Sequence, residues 1–511
     1  MTTTLVTAPT GASLQQLAEA AWQRVGDAST LIFETERFDS ATLATRTRRL
    51  SQGLREAGLR PGERVVVCMS NCAEVGLSYN AIWRAGAVTT PVLFLLSDEE
   101  LRHVLADSEA SYVVTTPEFL SKVQAASAGL ATVRGVILAG GDGDGTLSFA
   151  ELEMAQDSDL VASDPDSLAA LLYTGGTTGR SKGVMLSHNA MSAAAWAATS
   201  VSYDPALHTS LLPLPLSHAY GLLVSTLSLH APEPGTAVLM RWFGPAAMLA
   251  LASEHHVQVA AVVPSMLQML LAQPLEDYDL SALRRIACGA APLLHETRDE
   301  VARRLPDVEV GEGYGCTESA ALIATSPLGA VRPGSVGKPV PGVEVRLETA
   351  EGGDAALGEN GEICVRGPVL MTGYWNAAEE TAFAMRDGWL HTGDVGRLDA
   401  DGYLYVVDRL KDLIIRGGIN VYPRDIEDEM LTHPDVVAAA VVGKPDPRYG
   451  EEVVAFVQLR PGSEVTAAEL VEFAREHISK AKYPREVRIL SAIPLTSVFK
   501  TDRKAVRALL S

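Results

Sequence analysis

The chain has 511 residues, too many for one hydrophobic core, so two or more domains are expected. Hydrophobic residues make up 47% and charged residues 21%, the balance of a soluble globular enzyme rather than of a disordered or membrane-embedded chain. With 42 Lys and Arg against 63 Asp and Glu, the formal charge of -21 disfavours nucleic acid and anionic membrane as general partners.

An anionic ligand would then be held by local basic groups and backbone amides. The N-terminal stretch is polar and carries no basic region followed by an apolar run, so no signal peptide is read there and a cytoplasmic protein is expected. The longest apolar stretch, 257–272, is interrupted by Pro264 and is too short to span a bilayer. Cys68, Cys72, Cys288, Cys316 and Cys364 are scattered with no histidine pair beside them, which reads as buried free thiols rather than a structural zinc site.

Residues 14–24 and 40–57 place apolar side chains at helical spacing, and 64–69 and 111–115 read as short buried strands. With helices expected over 73–85 and 98–106, the alternation predicts an α/β domain built on parallel sheet. The Gly- and Asp-rich run 140–145 lacks the ligand spacing of a calcium loop and reads as a surface turn.

The apolar run 168–172 predicts a strand, and the residues after it are dense in phosphate-binding types. Gly175, Gly176 and Gly179 let the backbone turn tightly and aim N–H groups at an anion, Thr174, Thr177 and Thr178 add hydroxyls, and Lys182 adds a positive charge. It is not a Walker A loop, because Lys182 follows Ser181 and precedes Gly183. A plain Gly/Thr-rich hairpin is the alternative.

A Gly-, Ala- and acid-rich run at 351–361 marks a turn between strands, and after Gly388 the texture changes. Short strands at 403–407 and 413–415 lead into helices at 423–433 and 467–478. A large N-terminal domain, 1–408, and a small α+β C-terminal domain, 409–511, are expected.

The segment from Tyr173 to Val184 resembles the signature of the acyl-CoA synthetase, nonribosomal-peptide adenylation domain and luciferase superfamily, and further motifs come in that family's order as far as Lys500. The resemblance implies an α/β fold of layered subdomains with a mobile smaller C-terminal domain. It also implies an AMP-forming ligase that uses ATP and Mg2+ to activate a small, medium-sized or aryl carboxylic acid, then transfers the acyl group to CoA.

Glu312, Gly313 and Tyr314 fall in the adenine segment, where Tyr314 would face the base. Thr317 would reach the α-phosphate, and Glu318 would hold Mg2+, a cation that suits oxygen ligands. Asp394 would accept from the ribose hydroxyls and Arg409 would reach ribose or phosphate. His218 and Tyr220 would lie beside the acid, with Val263, Cys288, Gly289 and Ala290 lining its pocket. Lys411 matches the hinge, Gly417 and Gly418 match the turn lining the acceptor channel, and Lys500 matches the lysine that bridges carboxylate and α-phosphate.

Residue by residue, blander alternatives stand beside these roles. A Gly-rich turn with a surface acid, solvated charges between strands, a structural histidine and an ordinary Gly-Gly hairpin would each account for one motif. Four positions depart from the family pattern: Gly175 where serine is usual, Ser181 where proline is, Ile415 where several members carry lysine, and Phe499 in place of the glycine before the catalytic lysine. The alternative is therefore adenylation with delivery to an acyl-carrier protein thiol or an amine, of an acid that extends to small oxyacids such as nitrite. A nucleotide-binding protein without turnover is a third reading, opposed by the joint presence of Lys182, Glu318, Asp394 and Lys500.

Overall fold

The computed structural model describes residues 11–174, 180–496 and 501–510. The chain folds as two compact units: Met1–Glu344 with Val365–Leu390, and Val345–Cys364 with His391–Ser511. The boundary expected at 408/409 lies inside the second unit.

The first unit holds two large sheets. In one, Arg64–Cys68 is the centre, flanked in parallel by Val88–Pro91 and Tyr112–Thr115. Val65, Val66, Val67 and Cys68 are buried without alternation, the pattern of a strand covered on both faces. The helix Asp98–Asp107 is one of its covers, and packs Leu101, Val104 and Leu105 against Val66 and Val113. Its start is fixed by a capping box in which Ser97 and Glu100 exchange hydrogen bonds. Towards one edge this sheet continues through Leu168–Thr174 and the antiparallel Lys182–Ser187 to the two-residue strand Gly373–Tyr374.

The second sheet of this unit runs Thr209–Leu212, Val259–Val262, Arg285–Gly289 and Glu309–Tyr314 side by side in parallel. The apolar stretch around Pro264 resolves into the strand Val259–Val262 and the helix Pro264–Leu271, because proline suits a helix's first turn but not its interior. Met266, Leu267 and Leu270 of that helix join Met248, Leu249 and Val301 in one core cluster. Truncating Leu267 to alanine would cost about 2–5 kcal/mol.

Most residues of a small sheet of Glu344–Glu348, Gly361–Arg366, Trp389–Leu398 and Leu404–Arg409 belong to the second unit. A further sheet is built on the long hairpin Val436–Asp446 and Gly450–Leu459, against which Pro423–Leu431 and Ala467–His477 bury Ile426, Met430, Leu470 and Ala474. No helix among the described residues is long and apolar enough to cross a membrane.

Candidate active site

Three adjacent parallel strands in the first unit end at one level. Val262 registers with Cys288 and Cys288 with Glu312, while Gly289 registers with Gly313. Val263 and Ala290 follow directly on their strands and Tyr314 ends its own, so all three stand at the carboxyl edge of the sheet, where open α/β sheets bind ligands. Ala290 holds φ at +70°, a conformation that costs a residue with a Cβ roughly 1–3 kcal/mol and persists where the surroundings impose it. Val263 and Cys288 are buried within the core cluster beneath this edge.

His218 and Tyr220, the pair expected beside the acid, stand next to the same edge. His218 caps the helix Ala219–Thr226, its Nδ1 accepting from the Tyr220 N–H at 3.2 Å, so in the neutral ring Nε2 carries the proton. The helix can begin there because residue 221 is glycine: a Cβ would lie 2.1 Å from the Pro215 carbonyl oxygen. Tyr220 Oη donates to the Ala287 carbonyl at 3.1 Å, and its ring lies 3.5 Å from where a Cβ on Gly289 would stand. Burial pushes the Tyr220 phenol up, so it stays neutral. The result is a flat aromatic wall against a bare glycine.

Of the residues expected to hold phosphate, Thr174 and Lys182 lie on the other sheet. Thr174 registers with Lys182 across two antiparallel strands; Gly175, Gly176, Thr177, Thr178 and Gly179 lie outside the described residues. Lys182 Nζ is 3.6 Å from Glu380 and 5.5 Å from the centroid of the Tyr374 ring.

Thr317 and Glu318 sit in a short 3-10 turn, Thr317–Ser319, after Tyr314. Gly315 makes that turn possible, since a Cβ there would lie 2.3 Å from the Ala321 carbonyl oxygen. Tyr374 Oη donates to Glu318 Oε1 at 2.8 Å, and no hydrogen bond among the described residues reaches Oε2. Burial and the Glu318 charge push the Tyr374 phenol up, which keeps the donated proton in place. A half-engaged carboxylate of this kind fits a hard cation that retains waters and bridges to phosphate, as Mg2+ does.

In the second unit, Asp394 and Arg409 register on antiparallel strands, with Arg409 Nε 3.1 Å from Asp394 Oδ1. Lys411 comes next in the turn Leu410–Asp412, where burial and neighbouring Arg409 push its ammonium pKa down. Gly417 and Gly418, at φ +58° and +81°, form the two-residue turn between Ile414–Arg416 and Ile419–Val421. Positive φ at both central positions is the primed hairpin geometry that matches strand twist. Lys500 and Phe499 lie outside the described residues.

Two features of the site carry no mark in the sequence. Tyr374 stands in none of the family-like motifs, although it touches both Lys182 and Glu318. The other is a buried ion pair between Arg298, on the helix His295–Arg304, and Glu312. Cys288 registers beside that pair, and burial together with the Glu312 charge holds its thiol protonated. Elsewhere Glu348, Cys364 and His391 bring potential ligand atoms within 4.8 Å of one another. There His391 Nδ1 already pairs with Glu362 Oε2 at 2.9 Å, so the cluster reads as a buried polar network.

Residues 18–375 match the family described as AMP-binding enzyme, and residues 425–500 match the AMP-binding enzyme C-terminal domain. A feruloyl-CoA synthase of Amycolatopsis sp is 38% identical over 475 residues, covering 91% of this chain and 93% of that protein. The structure of ATP-bound MatB from Rhodopseudomonas palustris superposes with a TM-score of 0.90 at 30% identity, over 98% of this chain and 99% of that one. The amide bond synthetase McbA from Marinactinospora thermotolerans superposes with a TM-score of 0.88 at 30% identity, over 98% and 100%. The match to the larger domain alone covers most of the 511 residues: the chain belongs to the AMP-binding enzyme family, the adenylate-forming ligases.

Proposed function

We propose that the protein joins an aromatic carboxylic acid to CoA through an acyl-adenylate. The observation that carries this reading is the Tyr220 ring laid against Gly289 at the carboxyl edge of the sheet, a slot suited to a planar substrate. The similarity to a feruloyl-CoA synthase supports the same substrate class.

In the first displacement a carboxylate oxygen attacks the α-phosphorus of ATP and pyrophosphate leaves. Both reactants are anions, so catalysis rests on positioning and on charge stabilisation. Lys182 and residues 174–179 take the outer phosphates, and Thr317 reaches the α-phosphate. Tyr314 faces the adenine, flanked by Glu312 and Gly313. Asp394 accepts from the ribose, with Arg409 beside it. Glu318 holds Mg2+, which when bound neutralises charge on the phosphates. Lys500 bridges the substrate carboxylate and the α-phosphate. His218 and Tyr220 orient the acid in a pocket completed by Val263, Cys288, Gly289 and Ala290.

In the second displacement the thiol sulfur of CoA attacks the acyl carbon, AMP leaves, and the thiol proton passes to solvent. The C-terminal domain turns about Lys411 between the two steps and presents the Gly417–Gly418 hairpin to the incoming pantetheine. A second reading is transfer to an amine or to a carrier-protein thiol, and the likeness to an amide bond synthetase supports the amine.

Purified protein given ATP, Mg2+ and a panel of acids, with and without CoA, tests both. The panel spans hydroxycinnamic, benzoic and medium-chain fatty acids and nitrite. Pyrophosphate release with aromatic acids and a CoA thioester among the products is the expected result. Release without thioester, and amide formation when amines are added, would move the acceptor to the second reading. Release with no aromatic acid would overturn the substrate class.

A further inference from the structure

Tyr374 lies outside the family-like motifs of the sequence, yet it touches two groups of the nucleotide site. Its strand pairs with Lys182–Ser187, with Tyr374 opposite Val184. The neighbouring backbone is tied to both sides: Trp375 N donates to Gly183 O at 2.7 Å, and Met371 N donates to Glu318 O at 2.8 Å. Within this frame the hydroxyl meets Glu318 Oε1 at 2.8 Å, and the ring lies 5.5 Å from Lys182 Nζ. The backbone N–H of Tyr374 is itself held by Thr381 Oγ1 at 2.8 Å.

We propose that Tyr374 is the positioning residue of the nucleotide site, orienting the metal-binding carboxylate through its hydroxyl and the phosphate-binding ammonium through its ring face. This rests on Glu318 holding Mg2+ and Lys182 holding phosphate, as in the proposed function. One oxygen of Glu318 is engaged by the phenol, so the other is presented in a fixed direction. A cation over an aromatic face keeps its charge while losing freedom, and Glu380 holds it from a second side at 3.6 Å. A single side chain thus couples the spacing of the two charges that must meet one triphosphate.

The test is calorimetric titration of ATP into the full-length protein over a range of Mg2+ concentrations, with thermal unfolding as a control on folding. Tyr374→Phe keeps the ring and removes the hydroxyl. It is expected to raise the Mg2+ concentration for half-maximal ATP binding about tenfold, the loss of one hydrogen bond to a charged group, with unfolding little changed. In a Glu318→Gln background the same substitution should add nothing, because the group it orients is gone. Tyr374→Leu, which removes the ring as well, should also weaken ATP binding at saturating Mg2+.

An unchanged Mg2+ requirement in Tyr374→Phe would overturn the proposal, as would the same shift persisting beside Glu318→Gln. Acid-dependent pyrophosphate release by a Tyr374→Phe variant of unaltered Mg2+ requirement would sink this role and leave the ligase reading standing. The expected shift in a protein that binds ATP but activates no acid would do the reverse.

Discussion

Arg409 and Asp394 face each other in register across two antiparallel strands, with Arg409 Nε 3.1 Å from Asp394 Oδ1. The carboxylate is buried and the guanidinium half exposed, so the acid is oriented from one side by a cation that remains in reach of solvent. Asp394→Asn keeps the shape and removes the charge. ATP affinity is expected to fall roughly tenfold or more, the worth of hydrogen bonds to a charged acceptor, in a calorimetric titration of ATP.

The buried pair of Arg298 and Glu312 makes a stability prediction. Arg298→Met removes the guanidinium that meets the Glu312 carboxylate at the sheet edge, and is expected to lower stability by about 3 kcal/mol. Adding Glu312→Gln should recover much of that loss, since removing both charges is close to neutral when volume is kept. Chemical denaturation of the two single variants and the double variant measures the coupling.

His188 opens the helix His188–Ser202 at 2% exposure, and its Nδ1 accepts from the Leu14 N–H at 3.4 Å. Burial pushes its pKa down from 6.5 to about 4. His230, also buried and close to Arg24, is pushed down to about 4 as well. In both cases the unfolded chain binds the proton more readily. Stability is therefore full above the unfolded value, declines as pH falls below about 6.5, and stops changing from this source below about 4. The melting temperature should drop through that window, and His188→Gln should flatten part of the slope.

Lys411, in the turn Leu410–Asp412, is proposed as the pivot between the two half-reactions. Proline there fixes φ and removes a backbone N–H, restricting rotation more than it alters either end state. Lys411→Pro is expected to slow thioester formation from preformed adenylate more than it slows adenylation, measured by single-turnover kinetics. Equal losses in the two steps would remove the hinge assignment.

Local chemistry made much of this architecture legible. The buried strand Arg64–Cys68, the helix Asp98–Asp107 and the glycine turn at Gly417–Gly418 each announce themselves within a few residues. The division into a larger N-terminal and a smaller C-terminal part was legible too, but not which segments each unit takes. The change in texture after Gly388 records denser turns, whereas the units are set by long-range packing that puts Val345–Cys364 with the C-terminal part and Val365–Leu390 with the N-terminal part.

The site shows the same contrast. Glycines, hydroxyls and acids in family-like runs could be read in place, but Tyr374 reaches Glu318 across 56 positions of sequence. Arg298 meets Glu312 only because a helix folds back over the strand that comes after it. A lone tyrosine after a glycine, or one arginine on a charged helix, carries no local mark of such a partner.

Acid-dependent exchange of labelled pyrophosphate into ATP tests adenylation most directly, because it reads the reversal of the first displacement and needs no acceptor. Wild-type protein should exchange only when a carboxylic acid is present, and Lys500→Ala should exchange roughly 10²–10³-fold more slowly, the effect of losing one preorganised charge-stabilising group. Exchange that ignores the acid, or a Lys500→Ala variant as fast as wild type, would contradict adenylation by this site.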